Sequence, residues 1–119
     1  RAVSLWKRAA ELGSASAHVN FGVHNITGNG IEKSISNGLV HITQGAMLGS
    51  EFGCYLLAVL YGSGKYGLKP DADRARDFFE RMPHCRSLDA RSDLRDEAKK
   101  WLREHPPGTH LEDVPNFFL

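Results

Sequence analysis

The chain has 119 residues, 41% hydrophobic and 24% charged, with a formal net charge of +1. That length suffices for one compact domain, and the apolar and aromatic content excludes a disordered tail. The nearly cancelling charges leave no electrostatic footprint for nucleic acid or an anionic membrane surface, and no apolar run approaches the ~20 residues of a membrane span.

The chain opens at Arg1, without methionine and without a visible signal peptide. It reads as a fragment or processed form that enters a repeat array mid-unit. Leu5, Trp6 and Ala9 form the apolar stripe of a first helix. That helix closes on Ala10-Glu11-Leu12-Gly13-Ser14, and the phrase returns as Ala46-Met47-Leu48-Gly49-Ser50 at an offset of 36 residues. A fixed offset between roughly 20 and 50 residues is the mark of a stacked array. Glycine after an apolar run suits the left-handed residue that ends a helix, and serine after it suits the next N-cap. Each phrase therefore reads as helix end, tight turn, helix start.

Ser14 is followed by Ala17, Phe21, Gly22 and Asn25, and Ser50 by Gly53, Leu57, Ala58 and Tyr61. The spacing is the same in both and makes one stripe of a helix. Small residues at positions 17, 22, 53 and 58 let a neighbour come close. These A helices end in Gly28-Asn29-Gly30 and in Gly62, Gly64 and Gly67. The last offset lengthens to 37, which places a one-residue insertion near Lys65 and Tyr66.

B helices follow, with Ser34 and Asp71 as N-caps. Their stripes are His41, Ile42 and Gly45, then Phe78, Phe79 and Met82, and the matching small residues are Ala2, Gly38 and Ala75. The order is B, A, B, A, B. In the third copy Pro83 and Arg86 replace the alanine and glycine of the phrase, so this B helix stops near Met82. A different helix begins around Ser87, with Leu94, Ala98, Trp101 and Leu102 on one face, and ends at His105-Pro106-Pro107-Gly108. A terminal repeat needs a covering element with a polar outer face, and this helix fits. Residues 1–86 are thus read as the array, 87–105 as a capping helix and 106–119 as an extended tail. The tail ends in Asn116-Phe117-Phe118-Leu119, apolar enough to dock.

Together these residues resemble the Sel1-like repeat family, a relative of the tetratricopeptide repeats. Phe21-Gly22 with Asn25, Gly28, Gly30 and Ile31 is similar to the first half of that family's unit, as is Leu57-Ala58 with Tyr61, Gly64, Gly67 and Leu68. Asp71, Arg74, Ala75, Phe78 and Phe79 resemble the second half, and Trp6 to Ala10 with Leu12 and Gly13 the end of an earlier unit. The likeness covers about residues 1–82. Asn25 stands where the family carries tyrosine, and His41 where it carries an aromatic. The resemblance implies an all-α, right-handed superhelix with A helices on the concave face, and a role in protein–protein scaffolding.

Reactive chemistry is sparse. His18 and His24 are six residues apart on one helix, hence on different faces, and no histidine has the spacing of a helical zinc site. Ser63 sits in a glycine-rich loop that is not a nucleophile elbow, and Gly28-Asn29-Gly30 follows a helix rather than a strand. No enzyme, metal site or cofactor is expected. Asn25-Ile26-Thr27 is a glycosylation sequon, but Asn25 occupies an inward slot. Cys54 and Cys85 should lie at the same edge of an antiparallel hairpin, either as a disulfide or as two reduced thiols, since Cys85 aligns with the apolar Leu12 and Leu48. The outward A-helix face is Asn20, Val23 and His24 in one repeat and Phe52, Tyr55, Leu56, Val59 and Leu60 in the next. Its second half is apolar enough to mark a protein or peptide partner, another protomer, or cover by the C-terminal helix or tail. A structural subunit of a larger assembly is the alternative to a peptide-binding adaptor.

Overall fold

The computed structural model describes Ser4, Leu5, Lys7 and residues 13–108. Most of the first B helix, including Trp6 and Ala9, lies outside the described residues, as does the tail from Thr109 to Leu119. Leu5 is helical and exposed. The described residues are all helical apart from turns and one isolated bridge, in the order α1 (Ala15–Thr27), α2 (Ile35–Met47), α3 (Glu51–Ser63), α4 (Ala72–Arg81) and α5 (Ser92–Glu104). Here α1 and α3 are the A helices, and α2 and α4 the B helices. Among the described residues no helix is long and apolar enough to cross a membrane.

The expected caps form. Ser14 Oγ accepts from Ala17 N, Ser34 Oγ from Asn37 N, Ser50 Oγ from Gly53 N, and Asp71 from Arg74 N. Each places a side-chain acceptor on an otherwise unpaired first-turn N–H. Gly28 and Gly64 end the A helices with φ of 72° and 70°, in the left-handed region that glycine enters without a Cβ penalty. The two repeats also share a longer link. Ser34 N donates to Asn25 O at 2.7 Å and Asp71 N donates to Tyr61 O at 2.9 Å, so each B-helix cap is tied to the last turn of its A helix. The inserted residue falls in a short 3₁₀ turn, Lys65–Gly67, where Tyr66 takes φ of 56°.

Packing follows the repeat. α1 lies on α2 and α3 on α4, and α2 joins the pairs by packing on α3. Small residues permit this. A Cβ on Gly22 would stand 2.7 Å from Gly38 O, and one on Gly38 would stand 2.4 Å from Ile26 Cγ1. The two backbones are in contact, which explains a helix-interior glycine despite its ~1 kcal/mol propensity cost. Ile42, Phe78, Phe79 and Met82 are buried as the B stripes require. Asn25 is buried and its Nδ2 donates to Phe21 O at 3.0 Å, which engages the sequon nitrogen inside the hairpin.

Two expectations change. α4 ends at Arg81 and a 3₁₀ turn, Met82–His84, carries Pro83, as expected. The following helix, however, starts at Ser92 rather than around Ser87. Residues 87–91 form no helix, and their backbone is held by the start of α3. Ser87 N donates to Gly49 O at 2.9 Å, Glu51 N donates to Ser87 O at 2.9 Å, and Ala90 N donates to Glu51 Oε1 at 3.2 Å. α5 then buries Leu94, Ala98 and Trp101.

The second correction concerns α3. Tyr55, Leu56, Val59 and Leu60 were expected on an outward face, but none is more than 3% exposed. They belong to one apolar cluster with Leu94, Ala98 and Trp101. Their side of α3 therefore faces the core that the capping region completes, and a helix apolar on all sides is a buried helix.

Candidate functional site

What remains open on the A-helix side is a groove of about 400 Å³, lined by Asn20, Phe52, Asp89, Arg91 and Leu94. α1 supplies Asn20, the first turn of α3 supplies Phe52, and the 87–91 segment with the start of α5 supplies the rest. Of the eight residues expected on the binding face, Asn20 and Phe52 line this groove. Val23 and His24 continue the Asn20 face of α1 at helical spacing, both partly exposed. His24 Nδ1 is 2.7 Å from Asn29 O, at the loop that closes α1.

Asp89 builds the groove. Its Oδ2 accepts from Ser16 Oγ at 2.6 Å and from Ser50 Oγ at 2.8 Å, and its Oδ1 accepts from Phe52 N at 2.9 Å. One carboxylate thus caps α3 and ties it to the first turn of α1. Its charge sits at the positive ends of both A helices, where helix dipoles favour an anion. Glu51, 2% exposed, holds the same segment from below. Its Oε2 accepts from Arg95 Nε at 2.7 Å, and Arg95 donates onward to Leu88 O at 3.0 Å. That hydrogen bond to Glu51 holds the Arg95 guanidinium more firmly protonated than usual.

The groove combines apolar and polar side chains. Phe52 and Leu94 offer apolar surface, Arg91 is exposed and paired with Asp93 at 3.1 Å, and the Asn20 carboxamide makes no hydrogen bond among the described residues. No group of three or more metal-ligating side chains occurs among the described residues. Ser63 Oγ donates to Leu60 O within its own helix end. A second hollow, of about 270 Å³, lies between α4 and α5 against Phe79, Met82, Leu88 and Leu102, with Glu51 and Arg95 at one side.

Sequence reasoning missed Asp89, Glu51 and Arg95. Their partners lie 39 and 44 residues away, beyond any helical or turn spacing. It also missed that His18 and His41 meet across α1 and α2, with Nδ1 atoms 3.1 Å apart and rings stacked at 5.3 Å. Phe21 packs edge-on against His41 at 4.8 Å. His41 therefore does occupy the aromatic slot of its stripe.

No family model and no curated protein sequence matches the chain. Among solved structures it is similar to the Sel1 repeat protein from Oxalobacter formigenes, with a TM-score of 0.63 and 22% sequence identity. The likeness covers 86% of this chain and 47% of that one, so the chain spans about half the length of that protein. The chain has the Sel1-like repeat fold, an all-α solenoid.

Proposed function

We propose that the chain is a non-catalytic interaction module that holds an extended peptide segment of a partner protein in the groove between α1, α3 and the start of α5. The observation that carries this reading is the Asn20 carboxamide, which has no hydrogen-bond partner among the described residues, beside Phe52 and Leu94. An amide offers a donor and an acceptor to a peptide main chain, while the apolar pair takes a side chain. Val23 and His24 extend the contact along α1. The Sel1-like fold supports the general class, since a solenoid presents an extended surface to partner proteins.

A photo-crosslinking amino acid at position 52, expressed in the native source, tests the reading. Crosslinks to a defined partner peptide from position 52, and none from the exposed Ser36 on α2, are expected. Equal labelling from both positions would remove the groove from consideration.

A second reading, a structural piece of a larger assembly, draws on Val40, Met47 and Leu48, which are 53%, 55% and 45% exposed. Light scattering on the isolated chain separates the two. A monomer favours the adaptor, and concentration-dependent association lost in Val40→Glu/Met47→Glu favours the assembly piece.

A further inference from the structure

We propose that the segment Thr109–Leu119 of this same chain folds back along α5 and seats Phe117 and Phe118 in the groove against Phe52 and Leu94, where a partner has to displace it. This deepens the reading of the groove as a peptide site and rests on it. The segment lies outside the described residues, and its sequence is that of an extended apolar ligand. Leu111, Val114, Phe117, Phe118 and Leu119 supply apolar side chains, and Pro115 disfavours a helix through its middle. The described residues fix where it starts. Arg76 Nη2 donates to Pro106 O at 3.2 Å, and His105 is buried and stacked on Trp101 at 4.5 Å. A turn at Pro107-Gly108 follows, with Gly108 at φ of 91°. Glycine holds that left-handed φ without a Cβ penalty, so the chain can double back there.

The path follows from the direction of α5. Its Arg95 reaches Glu51 at 2.7 Å and its Glu97 meets the Tyr55 hydroxyl at 3.5 Å, so α5 runs beside α3 in the same sense. The segment therefore starts level with the far end of α3, near Lys65 and Tyr66. The groove lies at the other end of α5, about 15 Å away at 1.5 Å per helical residue. Phe117 is nine residues beyond Gly108, a reach of about 30 Å when extended, so the aromatic pair arrives with slack. Charge agrees with this path. Glu112 and Asp113 fall in the first half of the segment, and Lys65 and Lys100 stand at the end it starts from. Lys100 is three residues after Glu97, on the same side of α5. His24, Phe52, Tyr55, Lys65 and Tyr66 border the path, and none of them is without a partner, as a covered path requires. The hollow between α4 and α5 is the weaker host. At about 270 Å³ it is smaller than the groove of about 400 Å³, and it is flanked by the Glu51–Arg95 ion pair.

The test uses the full chain with a photo-crosslinking phenylalanine analogue at position 118, irradiated at low concentration and mapped by digestion and mass spectrometry. A link within one chain to the first turn of α3, or to α1 around Asn20, is expected. A link to the hollow between α4 and α5 around Leu88 and Leu102, a link only between chains, or no link at all would overturn the proposal. The second arm measures competition in the full chain. Phe117→Asp/Phe118→Asp is expected to bind the partner captured at position 52 about tenfold more tightly than the wild type, since the groove is then open. Unchanged or weaker binding would overturn the displacement. The two arms fail separately. If position 52 captures no partner, the peptide reading falls, and the link from position 118 still decides where the segment sits.

Discussion

At the scale of single residues, the carboxylate of Asp89 does what no local motif could announce. It accepts from Ser16, Ser50 and the backbone of Phe52, so it caps one helix and ties it to another. Asp89→Ala should cost about 1–2 kcal/mol, the scale of a lost cap plus a charged hydrogen bond, measured as a lower urea midpoint. Glu51 is more deeply placed. Glu51→Ala leaves Ala90 N without its acceptor and Arg95 without its carboxylate, and should cost about 2–3 kcal/mol in the same assay. The His18–His41 contact sets a pH dependence. Burial, and then the neighbouring His18, holds His41 below its ordinary value of 6.5. The unfolded chain then binds the proton more readily, so stability is fully present above pH 6.5 and falls as pH drops through the lower folded value. Chemical unfolding at pH 7.5 and 5.5 should show that loss in the wild type and a smaller one in His41→Phe. Equal losses would refute the role of His41.

At the scale of elements, the helices were legible because their causes are local. Serine and aspartate caps, left-handed glycines and the stripes of α1, α2 and α4 all act within a turn or two, and the repeat supplied a second copy of each. The insertion at Lys65 and Tyr66 and the stop at Pro83 were legible for the same reason. The start of α5 was not. Ser87 could begin a helix by propensity, but its backbone is held by Gly49 and Glu51, far away in sequence. The outward face of α3 was misread because periodicity shows that a helix is apolar all round, and not what covers it. The contact of α1 with α2 yields a sharp test. Gly38→Ala puts a Cβ 2.7 Å from Gly22 O, a backbone atom that cannot swing aside. Overpacking of this kind should cost about 1–3 kcal/mol, read from thermal or urea unfolding. Ala at the exposed Gly108 meets no neighbouring atom, so any cost there comes from its φ of 91° alone.

At the scale of the whole molecule, the chain has an all-α solenoid fold in which α3 is buried on all sides among the described residues. Aspartates at Leu56 and Val59 would bury two unpaired carboxylates there. Against a total stability of order 5–15 kcal/mol, the double variant should unfold, seen as loss of helical circular dichroism. The groove lies between α1, α3 and the start of α5, so the binding proposed for it would share Asp89 with the contacts that hold residues 87–91 on α3. The most direct test of this arrangement is the affinity of the partner captured at position 52 for three forms of the chain: wild type, Asn20→Ala/Phe52→Ala, and a Ser36→Ala control on α2. A loss of roughly tenfold or more in the groove variant, with helical content and melting retained and the control unchanged, is expected for a contact centre. Undiminished binding by the folded groove variant would contradict the account.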